Sequence, residues 1–417
     1  MRGRKPRRPA GVNVSSPAPD SGSAATRAIV FLAIAAFASQ SMVRVTDSLL
    51  PQIAADMDVT VGAAAIVVTA YALAHGSVQL VIGPVGDRFG KYSCVTIAAG
   101  IATVLVALCG LAGSLSTLVA ARLACGLAAG WIIPLGMAFL GDVIPYERRQ
   151  QVLGRFLSGQ ILGQLFGQAA GGILGDLFGW RRVFFLLAGL FAIATAALIV
   201  QLIRNPITHA AHASATRSQG FIADYSAVLS TRWARIVILA AFLESGLMFG
   251  AFAFVGADLH LRFGLNFTLI GLFVGTFAIG GLIYSLSVTY LIGRLSQIGL
   301  TTAGGIVLAL AYTALAVEPY WWLTPLAVTG IGFGFYMLHN TLQTNATQMT
   351  PEARGTAVAI FSAALYLGQT AGVAAAAFVF DRYSGVPVFL AAGLLLLVLA
   401  LWFARRLKAH RSESGVS

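Results

Sequence analysis

Stretches of about 20 apolar residues, broken only by short polar loops, recur along the whole 417-residue chain. In helical form such a stretch spans the ~30 Å hydrocarbon layer of a bilayer. Lipid offers no partner to a backbone N–H or C=O, so a chain of this kind crosses as helices or as a closed barrel. The runs lack the two-residue alternation of barrel strands, which leaves helices and excludes a porin-like barrel. Composition agrees, because 58% of the residues are hydrophobic and 10% charged, against about 25% charged in soluble domains. At roughly 31 residues per helix and loop, twelve spans fit. They are predicted at 28–50, 61–83, 93–113, 115–140, 152–175, 181–203, 234–257, 268–291, 299–317, 320–344, 355–379 and 386–404.

The expected fold class is an all-α integral membrane protein whose twelve helices form two pseudo-symmetric six-helix bundles. Residues 1–27 read as a disordered basic tail, 28–203 as the first bundle, 204–233 as a polar linker, 234–404 as the second bundle and 405–417 as a basic tail. The first apolar run, at about 23 residues, is too long for a signal-peptide core. With the N-terminus inside, 21 of the 27 Lys and Arg residues fall on the cytoplasmic side. Only Arg181, Arg182, Arg262 and Arg382 fall outside, and Arg44 and Arg122 lie within spans. The positive-inside rule then places both termini and the linker in the cytoplasm, with the chain multi-pass in the plasma (inner) membrane.

The net charge of +12 sits in tails and alternate loops and not on one folded face, so nucleic acid is excluded as a partner. Cys94, Cys109 and Cys125 are odd in number and lie in apolar helices, which reads as packing. His209 and His212 in the linker have no acid or Cys at ligand spacing, so no metal site and no cofactor are expected.

Between the second and third spans the chain reads Gly83-Pro84-Val85-Gly86-Asp87-Arg88-Phe89-Gly90-Lys91. Glycines here permit a tight turn, and the Asp sits where it can meet an opposing helix N-terminus. This segment resembles the loop motif of the major facilitator superfamily, in which Gly83, Asp87, Arg88, Gly90 and Lys91 take the place of a conformational latch. A phosphate-binding loop would need Gly at 85 and Ser or Thr at 92, where Val85 and Tyr92 stand, so an ATP-driven pump is excluded. In the second half, Gly293 takes the position of Asp87, which leaves the latch one-sided.

The fifth span carries Gly163, Gly167, Gly171 and Gly172, similar to the family's antiporter motif, with Gln168 where that motif has Pro. Its glycines read equally well as a packing stripe, while Gln160, Gln164 and Gln168 make a polar stripe four residues apart that is hard to place against lipid. The first span ends in Gln40, Arg44 and Asp47 on one face, followed by Ser48-Leu49-Leu50-Pro51, a pattern similar to that of twelve-span drug/proton antiporters. Two readings stay open there, mutual neutralisation of Arg44 and Asp47 or a cavity-mouth site. Arg122, in the fourth span, either snorkels to the outer face or faces a polar cavity. Further polar rows are Tyr71, His75 and Gln79 in the second span and Tyr336, His339, Asn340 and Gln343 in the tenth. Each is expected to point inward.

The resemblance covers 28–404 and implies a secondary active transporter, monomeric, that moves a small molecule through the bilayer by alternating access. Its drug/proton antiporter-like branch implies proton-coupled efflux of small, lipophilic or drug-like molecules. Proton-coupled uptake of a sugar or metabolite is the alternative within transporters, and a non-transporting receptor or scaffold is the alternative outside them. An enzyme is not expected, since no metal set, nucleophile triad or paired carboxylates stand at a plausible depth. Glu244 is the one acid near the middle of a span. An ionised carboxylate there is expensive, which makes Glu244 the first candidate for the coupling proton, with Arg122 as a possible neighbour and Asp47 in reserve.

Overall fold

The computed structural model describes residues 21–144, 146–210, 221–350 and 353–414. All regular structure among them is helical. Ten helical stretches are long and apolar enough to cross a membrane. One of them, Phe267–Val317, is two spans run together at Ser296, whose backbone leaves the helical region (φ 56°, ψ 176°). Adding the Gln-bearing helix Tyr146–Phe178 gives twelve. They are α1 (Ser21–Asp56), α2 (Val61–Gln79), α3 (Lys91–Leu111), α4 (Leu115–Val143), α5 (Tyr146–Phe178), α6 (Trp180–Arg204), α7 (Arg232–Phe263), α8 (267–295), α9 (297–317), α10 (Trp321–Ala346), α11 (Arg354–Tyr383) and α12 (Gly385–Ser414).

The ends differ from the sequence expectation. Helix α1 begins inside the expected tail, of which residues 1–20 lie outside the described residues. At the other end α12 continues to Ser414, so Arg405, Arg406, Lys408 and Arg411 occupy its final turns, where cations complement the negative end of the helix dipole. The linker holds two short helices, Ile207–Ala210 and Phe221–Ser230. Residues 211–220, with His212, and the side chain of His209 lie outside the description.

In lipid, helices are not driven together by apolar burial, and close packing of small residues takes over. Helix α5 lies along α1 so closely that a β-carbon at Gly159, Gly163, Gly167 or Gly171 would come within 3 Å of the carbonyl oxygens of Ala33, Phe37, Ser41 and Val45 respectively. Glycine every fourth residue therefore meets a carbonyl every fourth residue. Ser41 Oγ also donates to the Gly163 carbonyl at 3.1 Å and Ser48 Oγ to the Gln168 carbonyl at 2.7 Å. The same crossing recurs between α7 and α11, where Gly368 meets the Phe242 carbonyl and Gly372 that of Gly246. An identical offset of 205 residues relates Gly163 to Gly368, Gly167 to Gly372, Phe37 to Phe242 and Ser41 to Gly246. Between the halves, α5 contacts α8 and α2 contacts α11.

Arg122 on α4 is fully buried. Its Nε donates to the Val67 carbonyl and its Nη1 to the Met42 carbonyl, both at 3.1 Å, and Nη2 reaches Thr46 Oγ1 at 3.4 Å. The guanidinium lies 4.3 Å from the Tyr71 ring centroid. This corrects the snorkelling reading, because three donors are spent on α1 and α2 and not on the interface.

Two stability predictions follow from this packing. Gly167→Val should cost about 3 kcal/mol through overpacking, whereas Gly189→Ala, with open space around it, should leave the melting temperature of the purified protein unchanged. Arg122→Lys should cost about 2 kcal/mol, since one ammonium cannot replace a fork of donors bonded to two other helices. Thermal unfolding in detergent reads both.

Candidate functional site

Helix α1 carries Gln40, Arg44 and Asp47 on one face, and that face meets the second half of the chain. The Arg44 guanidinium sits 3.7 Å from the centroid of the Phe249 ring on α7. Gln40 is hydrogen-bonded to Tyr366 of α11, whose ring lies 4.2 Å from His75 of α2. Arg44 and Asp47 approach to 3.7 Å, beyond the 2.7–2.9 Å of a charge-assisted hydrogen bond. Both are buried, and the Arg44 Nε and both Asp47 carboxylate oxygens lack a hydrogen-bond partner.

Glu244 lies on α7, fully buried. Its Oε2 is 2.9 Å from His339 Nδ1 of α10, while Oε1 has no partner. The His339 side chain keeps 13% exposure and stacks on Phe335 with centroids 4.8 Å apart. Phe335 in turn meets Phe249 edge-on at 5.2 Å. A continuous aromatic row therefore links the Arg44 guanidinium to the Glu244–His339 pair. Chemically, a buried carboxyl beside a partly exposed imidazole can take up a proton and pass it on. Arg122, expected as a possible neighbour of Glu244, instead bonds α1 and α2, and His339 takes that place.

The other sequence candidates are scattered. Gln79 donates to the Gly130 carbonyl at 3.2 Å, tying α2 to α4. Gln168 is buried with neither amide atom partnered, and Gln164 is half-buried. Asn340 donates to the Tyr284 hydroxyl at 2.7 Å, Tyr336 stacks on Tyr284, and Gln343 is exposed near the end of α10. Gly163, Gly167 and Gly171 face α1, whereas Gly172 faces Gly271 of α8 in the other half.

The motif at 83–91 departs from expectation in two ways. It is a short helix, Ile82–Phe89, and not a tight turn. Only Gly90, with φ 88°, needs glycine for its backbone. Gly83 and Arg88 are exposed. Asp87 faces Lys91, the first residue of α3, at 3.0 Å, and Lys91 also binds Asp142 at 2.5 Å. In this conformation Asp87 pairs within its own half, with Lys91 four residues on across the bend at Gly90.

Sequence reasoning singled out Glu244 and His339 separately but missed their pairing, which joins residues 95 positions apart. It also missed Tyr366. Among the described residues, no group of three or more His, Cys, Asp or Glu gathers as a metal site would require.

The sequence profile of the Major Facilitator Superfamily matches residues 32–353. A Bacillus subtilis protein named Uncharacterized MFS-type transporter YceJ is 25% identical over 363 residues, covering 85% of this chain and 90% of its own length. Multidrug export protein EmrB of Haemophilus influenzae is 27% identical over 168 residues, covering 40% of this chain and 33% of its own. Among solved structures, a bacterial homologue of the human lysosomal transporter Spinster, inward-facing and unoccupied, superposes with a TM-score of 0.71 at 15% identity, covering 93% of this chain and 97% of that one. That likeness shows the fold. The twelve helices, the loop motif and the match over most of the chain establish that this protein belongs to the major facilitator superfamily of secondary transporters, and is not an enzyme.

Proposed function

We propose that this transporter exports small, lipophilic or drug-like molecules in exchange for protons, by alternating access, as in the drug/proton antiporter branch. The observation that carries the reading is the Glu244–His339 pair, a fully buried carboxyl at 2.9 Å from a partly exposed imidazole. Each half contributes to the surroundings of that pair, through Arg44 over Phe249 on one side and Phe335 against His339 on the other. A proton bound at Glu244 on one side of the membrane and released on the other would couple substrate movement to the membrane potential, worth about 2.3 kcal/mol per charge per 100 mV. Asp47, beside Arg44, is the reserve proton site. The partial likeness to a multidrug exporter supports the export direction.

In this proposal the protein is a monomer in the plasma (inner) membrane. It needs no cofactor, and its partners are a small-molecule substrate, protons and the lipid bilayer. Gln40, Arg44, His75, Tyr336 and Asn340 are the polar groups offered to substrate, and both termini and the linker are cytoplasmic.

Glu244→Gln should abolish pH-driven accumulation in inverted vesicles while downhill exchange or substrate binding persists. Undiminished pH-driven accumulation would move the proton site to Asp47. For topology, Ser230→Cys and Ser116→Cys, both at exposed positions, should label oppositely with a membrane-impermeant thiol reagent in a background lacking Cys94. Labelling of Ser230→Cys from outside intact cells would reverse the orientation.

A further inference from the structure

An aspartate in the last turn of a helix faces the negative end of its own dipole, an unfavourable place for an anion. Two of the aspartates so placed among the described residues share one register in the two halves. Asp176 stands two residues before the end of α5, Asp381 two before the end of α11, again 205 positions apart.

Each reaches across to the N-terminus of a helix in the opposite half, where an anion is favoured. Asp381 Oδ2 accepts from Thr60 Oγ1 at 2.5 Å and Oδ1 from the Gly62 amide at 2.8 Å, at the start of α2. Asp176 Oδ2 accepts from Thr268 Oγ1 at 2.6 Å and from the Thr268 amide at 3.4 Å, at the start of α8. Thr60 and Asn266 are the N-caps of those helices. Beneath each contact the backbones close up. A β-carbon on Gly62 would lie 2.7 Å from the Ala377 carbonyl, and one on Gly172 would be 2.7 Å from the Gly271 amide nitrogen. All four helix ends lie on the face away from Asp87, which pairs within its own half.

We propose that Asp176 and Asp381 are twin clasps that hold the two halves together on the outer face, and that both must release before the central site opens outward. They are positioning residues. They touch no substrate and act by setting the ratio of outward-closed to outward-open molecules. The inference rests on the alternating-access reading above, and on its orientation only for the word outer. Because both acids are exposed, salt should weaken the clasps.

The test uses the full-length protein in lipid nanodiscs, with Cys94, Cys109 and Cys125 replaced by Ala and spin labels at Ser116→Cys and Tyr320→Cys. Both positions are exposed, Ser116 in the first turn of α4 and Tyr320 in the loop before α10, in opposite halves on the clasp face. Distances measured by pulsed electron resonance should be mainly short in the parent. Asp381→Asn and Asp176→Asn should each raise the ratio of long to short distances about tenfold, and the double variant about a hundredfold, as independent contacts add. Thr60→Val and Thr268→Val should act in the same direction from the donor side, which keeps the idea testable if an aspartate variant does not fold. Asp87→Asn should not lengthen the distance. An unchanged distribution in the double aspartate variant or in both threonine variants would overturn the proposal, as would equal lengthening by Asp87→Asn. No substrate or proton gradient is needed, so failure of the Glu244 coupling reading would leave this result untouched.

Discussion

A leucine that moves from lipid into a protein interior exchanges one apolar surrounding for another, so twelve helices in a bilayer must be held by contact between their backbones. The α1–α5 crossing shows how. Four glycines on α5 meet four carbonyls on α1 at the helical repeat, and the depth of that contact fixes the register of the two helices to one residue. Registration then decides everything carried on α1, because Gln40, Arg44 and Asp47 lie one turn apart on the face left free by the glycine seam. The α7–α11 crossing does the same for Glu244. Since both crossings use positions 205 residues apart, the two halves present their polar faces to each other in related geometry.

Charge within this frame is treated in three different ways. Arg122 has all three of its nitrogens bonded and behaves as a fixed rivet between α1, α2 and α4. Glu244 is bonded on one oxygen and bare on the other. Arg44 and Asp47 stand at 3.7 Å with their polar atoms largely unmatched. Satisfied polar groups rigidify a core, whereas unmatched ones stay responsive to what arrives beside them. The gradation runs from α4 toward the interface between the halves, where a transporter has to change its contacts.

Helix count and fold were legible in the sequence because apolar length and loop polarity are local properties. Break positions were nearly so, although nothing in Leu295-Ser296-Gln297 announced that α8 and α9 would run together through one residue. The site was legible only as a set of polar candidates. Gln79 and His339 look alike in sequence, each a polar residue in an apolar helix, yet one bonds a carbonyl of α4 and the other a carboxylate of α7. Which neighbour a residue meets depends on helix rotation, and rotation is set by partners tens of residues away. Asp176 and Asp381 escaped notice for a related reason, since an acid near a loop is ordinary until the opposing helix end is seen. Asp87 was conspicuous through its motif, yet here it pairs with its own neighbour.

The rivet at Arg122 also orders the way the chain is built. Its acceptors precede it, Val67 by 55 residues, Thr46 by 76 and Met42 by 80. Ribosomal synthesis therefore presents α1 and α2 before the arginine that needs them. An unpaired arginine at the centre of a helix opposes insertion by roughly 2.5–3.5 kcal/mol, and the earlier helices supply the acceptors that remove this penalty. Biogenesis and the finished fold thus share one dependence, with α4 entering the bilayer as a guest of the two helices made before it.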